Sequence, residues 1–121
     1  MLKDFYKTTY CSLADGVLTA TVILNAEHDI FKGHFPNNPV TPGVCMLQIF
    51  RELVEHSTHK KLFIKECSNV KFMALINPET HSELAITIGL QPFDGGYKMK
   101  ASAKFESTTA LKVNAVLSDQ L

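Results

Sequence analysis

The segment Gly33–Gly43 places a histidine in a proline-rich loop immediately before an apolar helix; it reads Gly-His-Phe-Pro-Asn-Asn-Pro-Val-Thr-Pro-Gly. The imidazole of His34 can be neutral near pH 7 and accept a proton. The backbone amides of Gly43 and Val44 have no partner inside a helix that starts there, and they lie at the positive end of its dipole. A base beside two such donors can remove a proton next to a carbonyl and hold the resulting charge on oxygen.

The residue types predict where this helix starts. The hydroxyl of Thr41 suits the N-cap, and Pro42 suits the first helical position because the missing amide costs nothing there. Gly43 has no side chain to block a ligand that approaches the amides. Two simpler interpretations stay open, namely a well-made turn into a helix and a loop histidine that caps backbone groups.

Two further polar residues fall on the same helical stripe. Gln48 follows Val44 by one turn and can orient a hydroxyl or a water, or else tie the helix to a neighbouring loop. Glu52 follows one turn later and is a candidate substitute acid, or else a helix carboxylate that pairs with Arg51. One helical turn is about 5.4 Å, which is far for a direct proton transfer.

Strict alternation of apolar and polar residues predicts strands with one buried face. It occurs in four segments: Leu18–Leu24, Leu84–Gln91, Tyr97–Phe105 and Leu111–Leu117. A further strand is predicted from Leu62 to Leu75, bent near Cys67 and Ser68. Asp15-Gly16 and Asp94-Gly95-Gly96 are hairpin turn signals. The links between the last strands are short, so those strands are expected to be antiparallel neighbours.

One helix is predicted from Pro42 to about His56. Its first turns are apolar almost all round, as is typical of a helix buried on most sides. We therefore predict a single α+β domain over residues 1–121, in which an antiparallel sheet wraps one long central helix. So small a sheet cannot cover a helix completely, and a dimer would help to seal the core.

Composition narrows the function classes. Zero net charge, from 12 basic and 12 acidic residues, disfavours a nucleic acid partner. No apolar run approaches the roughly 20 residues of a membrane span, and the N-terminus lacks a signal-peptide region, so a cytoplasmic protein is expected. No metal or other cofactor is expected, because neither the three cysteines nor His56 and His59 have metal-ligand spacing. Cys45 lies near the helix N-terminus, where a thiolate would be stabilised, so a catalytic Cys45 is an alternative to His34 chemistry.

The segment Gly33–Gly43 resembles the active-site loop of the hot-dog-fold 3-hydroxyacyl-acyl-carrier-protein dehydratases of fatty acid synthesis. That loop reads Gly-His-Phe-Pro, two variable residues, Pro, two mostly apolar residues and Pro-Gly. A weaker similarity continues through Asn69–Phe72, where the family has an Ala/Val-x-Phe strand, and Ile76–Glu79, where it has a turn. The resemblance implies a hot-dog fold and a dimer with its sites at the subunit interface. It also implies a lyase in which His34 is the base and the Gly43 or Val44 amide binds the oxygen of an acyl thioester.

One position departs from this family. The family carries Glu or Asp as the acid five residues after the glycine of Pro-Gly, and Gln48 stands there. An amide cannot give up a proton at working pH. A homodimer should therefore be a poor dehydratase, and Gln48→Glu should raise its activity. The alternatives are a non-catalytic or half-catalytic partner of an acid-bearing homologue, and an acyl thioester hydrolase. Acyl chain length, and the choice between acyl carrier protein and coenzyme A, stay open.

Overall fold

The computed structural model describes residues 4–33 and 39–120, which form one antiparallel sheet and one long helix. The elements are β1 (Tyr6–Ala14), β2 (Val17–Leu24), a 3₁₀ turn (Asp29–Lys32), α1 (Gly43–Thr58), β3 (Phe63–Phe72), β4 (Glu83–Phe93), β5 (Gly96–Phe105) and β6 (Thr108–Ser118). The strand order is β1-β2-β4-β5-β6-β3, and each neighbouring pair is antiparallel. The chain leaves the sheet after β2, forms α1, and returns as the edge strand β3.

The four alternating segments are strands β2, β4, β5 and β6, as predicted. Their inward residues join the buried face of α1 in one core, which includes Leu18, Val22, Leu84, Ile86, Ile88, Met99, Leu111, Val113 and Leu117. Both predicted hairpin turns are confirmed by their backbone: Asp15 and Gly16 have φ of 53° and 76°, and Asp94 and Gly95 have 49° and 78°. Paired positive φ angles give the turn twist that matches antiparallel strands.

The predicted bend in β3 is also confirmed. Its register against β6 shifts between Ile64 and Glu66 and again between Cys67 and Asn69. Two such irregularities bend an edge strand and interrupt the regular row of groups that it presents for pairing. Beyond them, Phe72 pairs with the buried Leu111 of β6.

The start of the helix differs from the prediction. Pro42 is the N-cap and α1 begins at Gly43, so Pro42 precedes the first helical position. Thr41 is buried, and its hydroxyl makes no hydrogen bond within the described residues. It is held instead through its backbone, because its amide donates to the carbonyl of Ile76 at 2.8 Å. The N-cap prediction failed since this tertiary bond, and not a side-chain cap, sets where the chain enters the helix.

The helix is also less enclosed than its sequence predicts. Cys45, Met46, Ile49 and Phe50 are buried, but Val44 is 66% exposed. A single sheet covers one side of a helix and leaves the opposite stripe open. The exposed stripe contains the residues that could do chemistry. It begins at Val44 and continues through partly exposed Gln48 and Glu52.

Candidate functional site

The site begins at the loop that carries His34. His34 lies outside the described residues, so its role as a base stays a prediction. The residues on either side of positions 34–38 are described. The amide of Gly33 donates to the carbonyl of Phe31 and closes the 3₁₀ turn, and Pro39 is buried. The loop therefore departs from the end of one element and arrives two residues before Thr41, whose backbone is tied to Ile76.

The N-terminus of α1 presents amide donors as the sequence predicts. The carbonyl of Pro42 accepts from the amides of Cys45 at 3.1 Å and Met46 at 3.3 Å. The amides of Gly43 and Val44 precede the first intrahelical donors and make no backbone hydrogen bond within the described residues. They stand at the positive end of a helix of 16 residues. This arrangement suits the binding of a partial negative charge on a carbonyl oxygen.

The ring of Phe72 lies against this helix start. A Cβ at position 43 would be 3.0 Å from Cε2 and 3.1 Å from Cζ of that ring, which is tighter than ordinary contact. Glycine lets the end of β3 and the start of α1 approach this closely. Phe72 itself is 45% exposed, so its ring also borders open space beside the amides.

Gln48 is bound by a neighbour on its own helix. Its Oε1 accepts from Nε of Arg51 at 2.9 Å and from Nη2 at 2.6 Å. Arg51 is in turn held by Glu55, with Nη1 2.9 Å from Oε1. From the sequence, Arg51 was predicted only as a partner of Glu52. The spacing of three residues on one helix face was the signal for its bond to Gln48.

Glu52 contacts a strand that is distant in sequence. The hydroxyl of Tyr6, on β1, donates to its Oε1 at 2.8 Å. Its Oε2 lies 3.9 Å from Nη2 of Arg51. Burial raises the pKa of Tyr6 well above its ordinary value, and the hydrogen bond and charge of Glu52 act in the same direction. Tyr6 and Glu52 are 46 positions apart, so no sequence pattern indicated this pair.

Cys45 does not have the environment of a reactive thiol. It is 5% exposed, and burial raises its pKa. A raised pKa disfavours the thiolate that nucleophilic chemistry requires. At the helix start, the backbone amides, and not this thiol, are therefore the groups suited to contact a ligand.

Within residues 4–33 and 39–120, no three His, Cys, Asp or Glu side chains lie close enough together to hold a metal ion. No helix in that part of the chain has both the length and the hydropathy that a membrane crossing requires.

Exposed apolar side chains collect around the end of β3. Val70 is 46% exposed, Phe72 45%, Met73 43% and Leu75 67%, and the Phe72 ring lies against Gly43, the residue before the exposed Val44. We call Val44, Val70, Phe72, Met73 and Leu75 the apolar edge patch. Several large exposed apolar side chains in one region are typical of a binding interface. The patch adjoins the helix amides, so whatever covers it also lies beside the candidate site.

An antiparallel sheet folded over one long central helix defines a hot-dog domain. Residues 12–112 match the family model described as ApeI-like, ApeI dehydratase. The chain belongs to this family of hot-dog dehydratases.

Named relatives agree with this assignment. The chain is 31% identical over 101 residues to the 3-hydroxyacyl-[acyl-carrier-protein] dehydratase FabZ of Lactobacillus helveticus, covering 78% of this chain and 66% of the relative. It is 25% identical over 100 residues to FabZ of Rickettsia typhi, covering 75% and 69%. The chain thus spans about two thirds of the length of these relatives.

A solved structure shares the fold. The dehydratase heterocomplex ApeI:P from Xenorhabdus doucetiae contains a chain that superimposes with a TM-score of 0.78. The match covers 93% of this chain and 96% of the other at 18% identity. At that identity the likeness concerns the fold alone.

Proposed function

We propose that this chain is a dehydratase-like subunit that acts on 3-hydroxyacyl thioesters of fatty acid or polyketide synthesis, carried on acyl carrier protein or coenzyme A. The observation that carries the proposal is the open N-terminus of α1. The amides of Gly43 and Val44 make no backbone hydrogen bond within the described residues, and in the sequence they follow the segment that bears His34. The family membership and the name of the Lactobacillus relative support the substrate class.

The reaction divides into two proton movements. His34 takes the proton from the carbon next to the thioester carbonyl, and the Gly43 or Val44 amide binds the oxygen on which negative charge develops. The 3-hydroxyl must then leave as water, which requires a proton from an acid. A placed acid typically contributes about 10²–10⁴-fold to the rate.

The source of that acid decides between two assemblies. Glu52 is the candidate within the chain, but its oxygens face the hydroxyl of Tyr6 and the guanidinium of Arg51. Both neighbours are donors, so Glu52 serves as an acceptor that ties α1 to β1. We therefore favour an acid from a second subunit, in which this chain supplies His34 and the amides.

The apolar edge patch supports the proposal that a second subunit binds at the end of β3. It lies along the edge strand and beside the helix amides, so a partner that covers it can bring an acid to the site. The Xenorhabdus structure is a heterocomplex, and this chain shares its fold. A homodimer is the other candidate assembly, and it would contain Gln48 twice.

The test compares the purified chain alone with the chain co-purified with an acid-bearing homologue. Formation of enoyl thioester from a 3-hydroxyacyl carrier-protein substrate is followed by mass spectrometry. We expect slow turnover by the chain alone, fast turnover by the mixed assembly, and loss of both in His34→Ala. His56→Ala is the matched control, because His56 is an exposed residue in the last turn of α1.

Two results would contradict the proposal. Release of free thiol without enoyl product would indicate a thioester hydrolase. Turnover that survives His34→Ala in the mixed assembly would show that the base lies elsewhere.

A further inference from the structure

The side-chain amide of Gln48 has a defined orientation. A guanidinium carries only donors, so the atom that faces Arg51 must be the oxygen of the amide. Both Nε and Nη2 of Arg51 donate to that one oxygen, at 2.9 and 2.6 Å. The amide NH₂ of Gln48 consequently points away from Arg51, and it donates to no other described residue.

Arg51 is itself held from the opposite side. Nη1 contacts Oε1 of Glu55 at 2.9 Å and the carbonyl of Leu62 at 3.4 Å. The other oxygen of Glu55 accepts from the amide of Leu62 at 2.7 Å. The Arg51 side chain is only 18% exposed. These contacts fix the guanidinium between Gln48 and the segment that leads into β3.

The free NH₂ lies on the open stripe of the helix. Gln48 follows Val44 by one turn and is partly exposed, so this stripe runs from the helix amides to the Gln48 side chain. A neutral amide NH₂ in this position is a hydrogen-bond donor for an uncharged oxygen, such as a hydroxyl or a carbonyl oxygen.

We propose that Arg51 is a positioning residue that orients Gln48 as a neutral hydrogen-bond donor to the 3-oxygen of an acyl thioester. This inference rests on the proposed function for the identity of the ligand. In this arrangement Gln48 binds and aligns the oxygen, and the proton that makes water a leaving group comes from another residue.

The same geometry makes Arg51 an obstacle to an acid at position 48. A carboxylate there would offer two oxygens to Nε and Nη2, which is the bidentate geometry that guanidinium groups prefer. The ion pair would hold the carboxyl ionised, and an ionised carboxyl has no proton to give. The sequence-based expectation that Gln48→Glu raises activity therefore changes: the gain requires the removal of Arg51 as well.

The first experiment needs no turnover. In Gln48→Glu and in the double variant Gln48→Glu/Arg51→Gln, the introduced carboxyl is titrated by NMR after selective ¹³C labelling of glutamate. We expect its pKa to be lower by about one unit or more when Arg51 is present. Equal pKa values in the two variants would overturn the role of Arg51. Gln48→Glu/Arg51→Lys is the second variant; it keeps a charge beside Glu55, and we expect an intermediate pKa.

The second experiment measures ligand binding. The probe is a 3-hydroxyacyl pantetheine amide, in which an amide replaces the reactive thioester. We expect the Nε2 resonances of Gln48 to shift on binding, and Gln48→Leu and Arg51→Gln each to weaken affinity by about tenfold. Unchanged affinity in both variants would overturn the donor role. Absence of binding by the native chain in its active assembly would overturn the proposed function, whereas the titration would still report on Arg51.

Discussion

The hydroxyl of Tyr6 donates a 2.8 Å hydrogen bond to Oε1 of Glu52 and joins the edge strand β1 to the middle of α1. The Glu52 side chain is 14% exposed, so this bond is partly protected from water. It gives Glu52 a structural role that does not depend on any substrate. The pair leads to predictions for stability, for its dependence on pH and for catalysis.

Tyr6→Phe should lower the free energy of unfolding by about 1 kcal/mol, because a hydrogen bond to a charged group is lost and Glu52 keeps access to water. Urea unfolding near neutral pH measures this change. Tyr10→Phe is the control, since Tyr10 is 54% exposed and its hydroxyl donates to the exposed Ser12 at 3.2 Å. An equal decrease in unfolding free energy in the two variants would show that the Tyr6–Glu52 hydrogen bond does not stabilise the fold.

The same pair predicts a pH dependence. The pKa of Tyr6 is raised in the folded protein, chiefly by burial, so its contribution is complete below the ordinary tyrosine pKa of about 10. Above about pH 10 the unfolded chain loses this proton first, and stability falls. The stability advantage of the native chain over Tyr6→Phe should therefore be constant below about pH 9 and shrink as the pH rises above about 10. A constant difference would contradict the raised pKa.

Glu52→Gln should leave catalysis nearly intact. The substitution keeps the shape and the acceptor for Tyr6, so we expect turnover of the active assembly to fall less than about threefold, against roughly 100-fold or more when a general acid is removed. Enoyl thioester formation is the measurement. If native chain alone turns over rapidly and Glu52→Gln abolishes that rate, Glu52 is the acid and no second subunit is needed to supply it.

Gly43→Ala should impair catalysis more than stability. The added methyl would meet the Phe72 ring at 3.0 Å beside the candidate oxyanion amides. We expect turnover to fall by about tenfold or more while unfolding free energy changes by less than about 1 kcal/mol. Gly89→Ala is the control, because a Cβ there has 3.9 Å to the carbonyl of Lys100. Full recovery in Gly43→Ala/Phe72→Leu would assign the defect to the ring and not to a blocked amide.

Val70→Asp should weaken subunit association. Val70 belongs to the apolar edge patch, and a carboxylate buried in an interface without a partner is costly. Val17→Asp is a matched control, because Val17 is 44% exposed against 46% for Val70 and lies on β2. Sedimentation at micromolar concentration should show dissociation in the first variant only. A native chain that sediments only as a 13.5 kDa monomer, alone and with an acid-bearing homologue, would refute the interface.

Much of the fold could be read from local patterns. Strands β2, β4, β5 and β6 each bury one face, so their alternation was visible in the sequence. The edge strand β1 was not predicted because both of its faces are largely exposed, and burial imposes no alternation there. The helix N-cap was misassigned for a related reason: the bond from Thr41 to Ile76 joins segments that only folding brings together.

The components of the site follow from local patterns in the chain. Pro42 and Gly43 predict a helix start with open amides, and the spacing of Gln48 places an amide on the same stripe, because both features follow from the geometry of a single helix. The contacts around these components depend on the tertiary structure. Phe72 reaches Gly43 through the pairing of β3 with β6, and Tyr6 reaches Glu52 across 46 residues. Such contacts depend on how the sheet closes over the helix, which no local pattern specifies, and they determine whether a side chain is left to bind a ligand or is committed to the fold.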